Sequence, residues 1–234
     1  MNRLTRDQII AIIGIFVASF TAVIVAFIPA FLPTQWKCFF KNRYYDEEYQ
    51  VCKPKLPVFK ENNDCKHYYE LVEEDISWTE ANNRAKNKNH RGIPGHLVTI
   101  TSQEEQEFIE NSQNLRQLDQ NSNREEVFVR SQLNSAWIGA SDARNEGIWE
   151  WVVGPETEKG MQFWIGKSDG DPIKNVYSNW RDNVQPDDGR EGEDYGHISL
   201  YSQEGFKWND NDVNDRYSEV SQYIVEYTDC PNQD

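Results

Sequence analysis

The chain is short of three things: histidine, paired cysteine motifs and basic charge. Its four histidines (His67, His90, His96 and His197) are scattered, and no Ser/His/Asp or Cys/His constellation gathers around them. Each reads as a surface or core residue, so triad chemistry has no candidate and the chain reads as a binding protein, not an enzyme. No Cys-x-x-C pair exists, which removes the usual zinc spacing. Lysine and arginine number 24 against 39 aspartates and glutamates, a formal net charge of −15. Nucleic acid selects for basic surfaces and is excluded as a partner. A fixed-period repeat is missing as well, which argues against a solenoid or propeller.

Charge is also absent from Ile9 to Leu32, where Ser19 and Thr21 are the only hydroxyl residues. As a helix, these 24 residues would extend about 36 Å, enough to cross ~30 Å of hydrocarbon. Pro29 and Pro33 disturb only the last turn. A cleaved secretory signal is the competing reading. Its apolar region usually runs about 7–15 residues, and Ile28-Pro29-Ala30 makes a poor cleavage site. The expectation is a short tail (1–8) and a transmembrane signal anchor (9–32), with a secreted product if the segment is cleaved. Arg3 and Arg6 on one side and Lys37, Lys41 and Arg43 on the other give no vote on orientation. The cysteines do. Cys38, Cys52, Cys65 and Cys230 all follow the apolar run, and an even number fits two disulfides in an oxidising compartment. Reduced thiols are the alternative. The part after residue 32 is therefore expected on the extracytoplasmic side of a membrane.

Aromatic residues make up 13% of the chain and include eight tryptophans, which implies a core to bury. Residues 33–64 read as a juxtamembrane stalk, with Pro54, Pro57 and mixed charges but no sustained periodicity. From His67 to Val72 strand formers dominate. Ser77 with Glu80, and Ser102 with Glu105, have the spacing of capping boxes, and Trp78, Ala81 and Ala85 mark one face of the first helix. Strands are expected at 95–100, 137–139, 149–152, 197–200, 206–208 and 223–227. Residues 111–126 read as a polar loop, and Val127–Val129 as a short strand. The stretch 154–194 is rich in Gly, Pro, Asp and Asn. Trp164, Tyr177 and Trp180 punctuate it, which favours an ordered functional loop.

That loop carries the chemistry. Six carboxylates lie within the thirteen residues from Asp182 to Asp194, and Asn209 and Asp210 follow Trp208. Oxygen donors without cysteine suit a hard cation, and a mixture of carboxylates and amides favours Ca²⁺ over Mg²⁺. A solvated acidic face is the bland alternative. An EF-hand is excluded: Asp210, Asp212 and Asn214 fit its first three positions, but Asp215 stands where glycine is needed and Ser221 where the closing glutamate belongs.

Gln185-Pro186-Asp187, Glu193-Asp194 and Trp208-Asn209-Asp210 resemble the signature of the C-type lectin family. Trp137-Ile138-Gly139, Glu146-Gly147-Ile148-Trp149-Glu150-Trp151, Tyr68-Tyr69 and His96-Leu97-Val98-Thr99-Ile100 resemble its other motifs, in order, over about residues 66–228. The resemblance implies an α+β domain (65–230) with two helices, small antiparallel sheets and a long calcium-binding loop. It implies a principal calcium site at Gln185, Asp187, Glu193, Asn209 and Asp210, whose ion would coordinate vicinal sugar hydroxyls. The side chains of Gln185, Asp187, Glu193 and Asn209 would bond the same hydroxyls. An accessory calcium site would fall on Asp142, Glu146, Asp188 and Asp194. Pro186 resembles the family's cis-proline. A protein–protein adhesion module, with calcium as a staple and no sugar, is the alternative within the same fold.

Gln-Pro-Asp is the family's galactose-type triplet, which points to glycans of that type. Such members usually place a tryptophan soon after it, whereas Gly189 and Arg190 follow Asp188 here. The segments 154–164 and 177–180 resemble bacterial members more than animal ones. Two family disulfides are missing: Ala85 and Val225 stand at one pair of positions and Tyr195 at one member of the other. The resemblance also implies antiparallel pairing of the first and last strands. With Tyr69 opposite Glu226, Cys65 falls opposite Cys230, implying a disulfide there and leaving Cys38 with Cys52 in the stalk.

Overall fold

The computed structural model describes residues 43–46, 51–61, 64–111, 135–189, 192–200, 206–214 and 220–231. One compact unit covers residues 1–55 and another residues 56–234. In the first, strands β1 (Arg43–Asp46) and β2 (Val51–Pro54) form an antiparallel ribbon with Tyr45 opposite Cys52. The apolar run 9–32, the Cys38–Cys52 link and the strand expected at 127–129 lie outside what is described. Among the described residues no helix is long and apolar enough to cross a membrane.

The second unit begins within the segment read as stalk. Strand β3 (Val58–Lys60) pairs antiparallel with β4 (Lys66–Glu73). Three residues are too few to show an alternating pattern in sequence. Helix α1 (Trp78–Lys86) follows. The Ser77 hydroxyl accepts the Glu80 N–H at 3.2 Å, but Glu80 does not reach back; its carboxylate binds Arg84 at 2.9 Å, one turn on. The face bearing Trp78, Ala81 and Ala85 is buried, and the Trp78 indole donates to the Ile138 carbonyl at 2.8 Å. Short strands β5 (Asn89–His90) and β6 (Ile93–Pro94) form a hairpin, and β7 (His96–Leu97) leads toward helix α2 (Gln103–Asn111).

The main sheet is completed by β8 (Ser135–Ser141), β9 (Ile148–Trp151), β10 (Gln162–Ile165), β11 (Asp171–Pro172), β12 (Tyr195–Ser199), β13 (Trp208–Asn211) and β14 (Val220–Asp229). Strand order runs β11-β10-β9-β8-β14-β4-β3; β12 pairs with β8 and β13, and β7 with β14. Among the described strands β8 and β14 are the one parallel pair, and an isolated parallel bridge joins Trp180 to Trp208. The strand expected at 206–208 begins instead at Trp208, because Phe206 has φ +53°, a left-handed conformation that ends regular extension. Strands β4 and β14 pair from Lys66–Asp229 to Glu73–Gln222, with Tyr69 opposite Glu226. Just beyond the ladder, Cys65 is disulfide-bonded to Cys230.

Packing stands where the family's other crosslinks are missing. Ala85 and Val225 are fully buried in one apolar cluster. A Cβ on Gly95 would lie 2.7 Å from the Ala85 carbonyl oxygen and 2.8 Å from Val225 Cγ1, so that close approach requires glycine. Tyr195 packs on Trp78 with ring centroids 4.7 Å apart.

Trp208 sits at the centre of the larger cluster, with ring contacts to Trp151, Phe163, Tyr177 and Trp180. Its indole donates to Gln106 Oε1 at 3.0 Å. Its backbone accepts from Arg181 at 3.1 Å and donates to Asn179 at 2.9 Å. These bonds fix the loop leading to Gln185 against β13.

A polar network lies in the core at the β4–β14 ladder. His67 Nδ1 is 2.5 Å from Glu226 Oε1, and the other Glu226 oxygen accepts the Thr99 N–H at 3.0 Å. Glu105 completes no capping box. Ser102 accepts its N–H at 3.1 Å, while its carboxylate turns inward to the Tyr69 hydroxyl at 2.7 Å and the Thr101 N–H at 2.9 Å. The Thr99 hydroxyl donates to Glu158. Burial disfavours His67 protonation, but the Glu226 bond and the charges of Glu226, Glu105 and Glu61 outweigh it and raise its pKa to about 9.

Candidate functional site

The family-type ligand residues come from three places: the loop held by Trp208, β13, and the segment leading into β12. Gln185–Asp188 sit on the loop held by Trp208, and Asn209 and Asp210 lie on β13 immediately after that tryptophan. Alternation along the strand places Trp208 in the core and Asn209 half-exposed beside it. Strand β12 brings Glu193 to the same place, since its register sets His197 opposite Asn209 and Gly196 opposite Asp210. A Cβ on Gly196 would meet Ala140 Cβ at 2.8 Å, so glycine allows β12 its close approach to β8.

The Gln185–Pro186 bond is cis. Asp210 is only 3% exposed, and its carboxylate accepts the backbone N–H groups of Asp187 at 3.1 Å and Asp188 at 2.8 Å. Burial nevertheless raises its pKa to about 7, with the charge of Asp187 adding to the shift. Carboxylate oxygens of Asp187, Glu193 and Asp210 lie within 4.8 Å of one another. Gln185 Oε1 and Asn209 Oδ1 are buried without a hydrogen-bond partner among the described residues. Three converging carboxylates and two orphaned amide oxygens are a costly arrangement by themselves. They fit a hard divalent cation that takes six to eight oxygens, and five protein side chains would leave positions for hydroxyl groups of a ligand.

Asp182 turns away from this group and pairs with Lys207 at 3.3 Å. Val184, next to Gln185, is 46% exposed and offers an apolar surface beside the triplet in sequence.

The four accessory residues are neighbours, but no three of them bring their ligand atoms within 4.8 Å of one another. Asp142 is 4% exposed; Oδ2 accepts the Gly147 N–H at 2.9 Å and Oδ1 has no partner among the described residues. Burial, then the charges of Glu146 and Asp194, raise its pKa to about 7. Glu146 is shifted upward by burial and by Asp188 and Asp194. Asp194 is raised by burial and by Asp188. Asp188 goes the other way: burial opposes its ionisation, but the Lys167 ammonium at 3.0 Å and the N–H groups of Glu193 and Gly192 pull its pKa down.

Lys167 has no counterpart in the sequence reading. It lies 21 residues before Asp188 in a Gly-Lys-Ser-Asp-Gly turn that belongs to no recognised motif. Among the histidines, His197 is fully enclosed, and desolvation lowers its pKa to about 3, so it stays neutral in the core.

The family model described as "Lectin C-type domain" matches residues 74–225. Halomucin of Haloquadratum walsbyi is 34% identical over 161 residues, which cover 69% of this chain and 1% of that protein. Human C-type lectin domain family 4 member E is 30% identical over 100 residues, covering 42% of this chain and 38% of the relative. The chain therefore spans well under two thirds of either relative. Among solved structures, the C-type lectin CEL-I from Cucumaria echinata aligns over 74% of this chain and 96% of its own, at 22% identity and a TM-score of 0.46.

Proposed function

The chain belongs to the lectin C-type domain family, a family of non-enzymatic binding modules, and from that premise we propose that it is a calcium-dependent glycan-binding protein. The observation that carries this reading is the convergence of Asp187, Glu193 and Asp210 beside the unpartnered amide oxygens of Gln185 and Asn209. Calcium, when bound, supplies a Lewis-acidic centre for two vicinal sugar hydroxyls. The surrounding side chains fix their direction: carboxylates accept from each hydroxyl and amide groups donate to it. The order Gln185-Pro186-Asp187 favours galactose-type sugars. The apolar run 9–32 would display the domain from a membrane on its extracytoplasmic side, across a stalk that ends before the domain begins at residue 56.

A second reading is an adhesion module in which calcium only staples the loop. It is favoured by the absence of an aromatic ring after Asp188, where galactose-type members stack the sugar. Retention of the full chain on immobilised galactose and mannose separates the two. Retention in calcium with release by EDTA supports the lectin reading. Calcium binding without retention on any sugar supports the adhesion module.

A further inference from the structure

We propose that Lys167 is a tethered cation that occupies the accessory calcium position and makes calcium compete for it. This rests on the calcium reading above and adds to it a residue that sets how many ions the loop holds at a given calcium concentration.

The lysine is built into the site by its backbone. Strand β10 ends at Ile165, and the chain turns through Gly166 and Gly170 into β11. Gly166 has φ +100°, and a Cβ on Gly170 would lie 2.2 Å from the Ile165 carbonyl oxygen, so both turn positions require glycine. The Trp164 indole donates to the carbonyls of Gly166 at 3.0 Å and Lys167 at 3.2 Å. Gly166 N–H donates to the Gly147 carbonyl at 2.7 Å, and Gly147 N–H donates to Asp142 at 2.9 Å. The turn carrying the lysine is thereby bonded to the loop carrying Asp142 and Glu146.

From there Lys167 Nζ reaches Asp188 Oδ2 at 3.0 Å, and Glu146, and after it Asp210 of the principal site, act on the same ammonium. One unit of positive charge thus stands at two of the four accessory carboxylates, Asp188 and Glu146. It does not saturate the four, since Asp142 Oδ1 stays buried without a partner among the described residues. The Lys167 side chain is also 54% exposed. A half-exposed ion pair of this kind is weak and can open. Its tether keeps the local ammonium concentration high without closing the site permanently. Calcium entering here must displace the lysine from Asp188 and bear its repulsion.

Calorimetric calcium titration of the full chain tests this with Lys167→Gln and Lys167→Arg. Wild type should bind one ion at the principal site and a second much more weakly. Lys167→Gln should tighten the second event about tenfold, the scale expected for removing one charge at a solvent-facing position, and tighten the first, through the weaker interaction with Asp210, by less than about threefold. Lys167→Arg keeps the charge and should resemble wild type. An unchanged second event in Lys167→Gln, equal tightening of both events, or tightening in Lys167→Arg overturns the proposal. Absence of the first event in wild type contradicts the calcium-lectin reading, while the effect of Lys167→Gln on the second still decides this one. No calcium binding in any of the three overturns both.

Discussion

The carboxylate of Asp210 accepts the backbone N–H of Asp188 at 2.8 Å, 22 residues away in sequence. One side chain thus does two jobs: it is an expected ion ligand, and it pins the loop bearing Gln185 and Asp187 to β13. Replacement should separate them. Asp210→Asn keeps an oxygen acceptor for the loop and should lose calcium binding with a small change in stability. Asp210→Ala should lose calcium binding and cost about 1–3 kcal/mol as well, through N–H groups left unpaired. Calorimetry and urea unfolding of the two variants check this.

Calcium should stabilise the fold in a pH-dependent way. The folded pKa of Asp210 is about 7, above the ordinary carboxylate value. Without calcium, the native state therefore holds a proton that the unfolded chain releases, and this group's contribution falls as pH rises through 7. Calcium needs the ionised carboxylate, so its affinity should fall as pH drops below 7. At a hundredfold excess over Kd the ion adds about 2.7 kcal/mol. Melting curves with calcium and with EDTA at pH 5.5 and 8 should differ more at pH 8. An equal difference at both values contradicts the assignment.

The core network predicts a second pH effect. His67, at about 9, contributes stability that is complete below its unfolded value near 6.5 and is lost as pH rises through 9. Glu105, raised to about 8 by burial and by Glu226, and Glu158, raised to about 7 by burial and by Glu226, act in the same direction. Unfolding free energy in denaturant should therefore fall between pH 6 and 9.5. His67→Ala removes the closer of the two histidines facing buried Glu226, leaving His96 at 3.9 Å and the Thr99 and Thr228 donors; it should cost up to about 3 kcal/mol and flatten that fall.

The disulfide is checked by non-reducing peptide mapping, which should yield a Cys65–Cys230 peptide. Replacing both cysteines with serine should cost about 2–5 kcal/mol. A Cys38–Cys65 or Cys52–Cys230 linkage contradicts the strand register.

The β4–β14 pairing, its Tyr69–Glu226 register and the Gln185/Asp187/Glu193/Asn209/Asp210 set were legible only through the resemblance to C-type lectin motifs; strand formers, the triplet and Trp208 before two polar residues mark the elements but not their partners. Lys167 was not legible, since its approach to Asp188 depends on a glycine turn held by Trp164 and Gly147. The His67–Glu226 bond joins residues 159 apart, and no spacing rule marks a histidine that will meet a buried glutamate. Strand β3 was missed because its three residues gain their extended form from β4, not from any pattern of their own.

The triplet itself can be rewritten. Gln185→Glu with Asp187→Asn exchanges the acid and amide at the two ends of the cis-proline segment. Glycan preference should move from galactose-type toward mannose-type sugars, measured as the ratio of the two affinities. An unchanged ratio shows that other residues set specificity.

The most direct measurement is binding of the full chain to a glycan array in millimolar calcium, in EDTA, and as Asp210→Asn in calcium. The account predicts sugar binding, with galactose-type glycans foremost, in the first condition alone. Binding that persists in EDTA or in Asp210→Asn contradicts it, as does the absence of any glycan binding when calcium is bound.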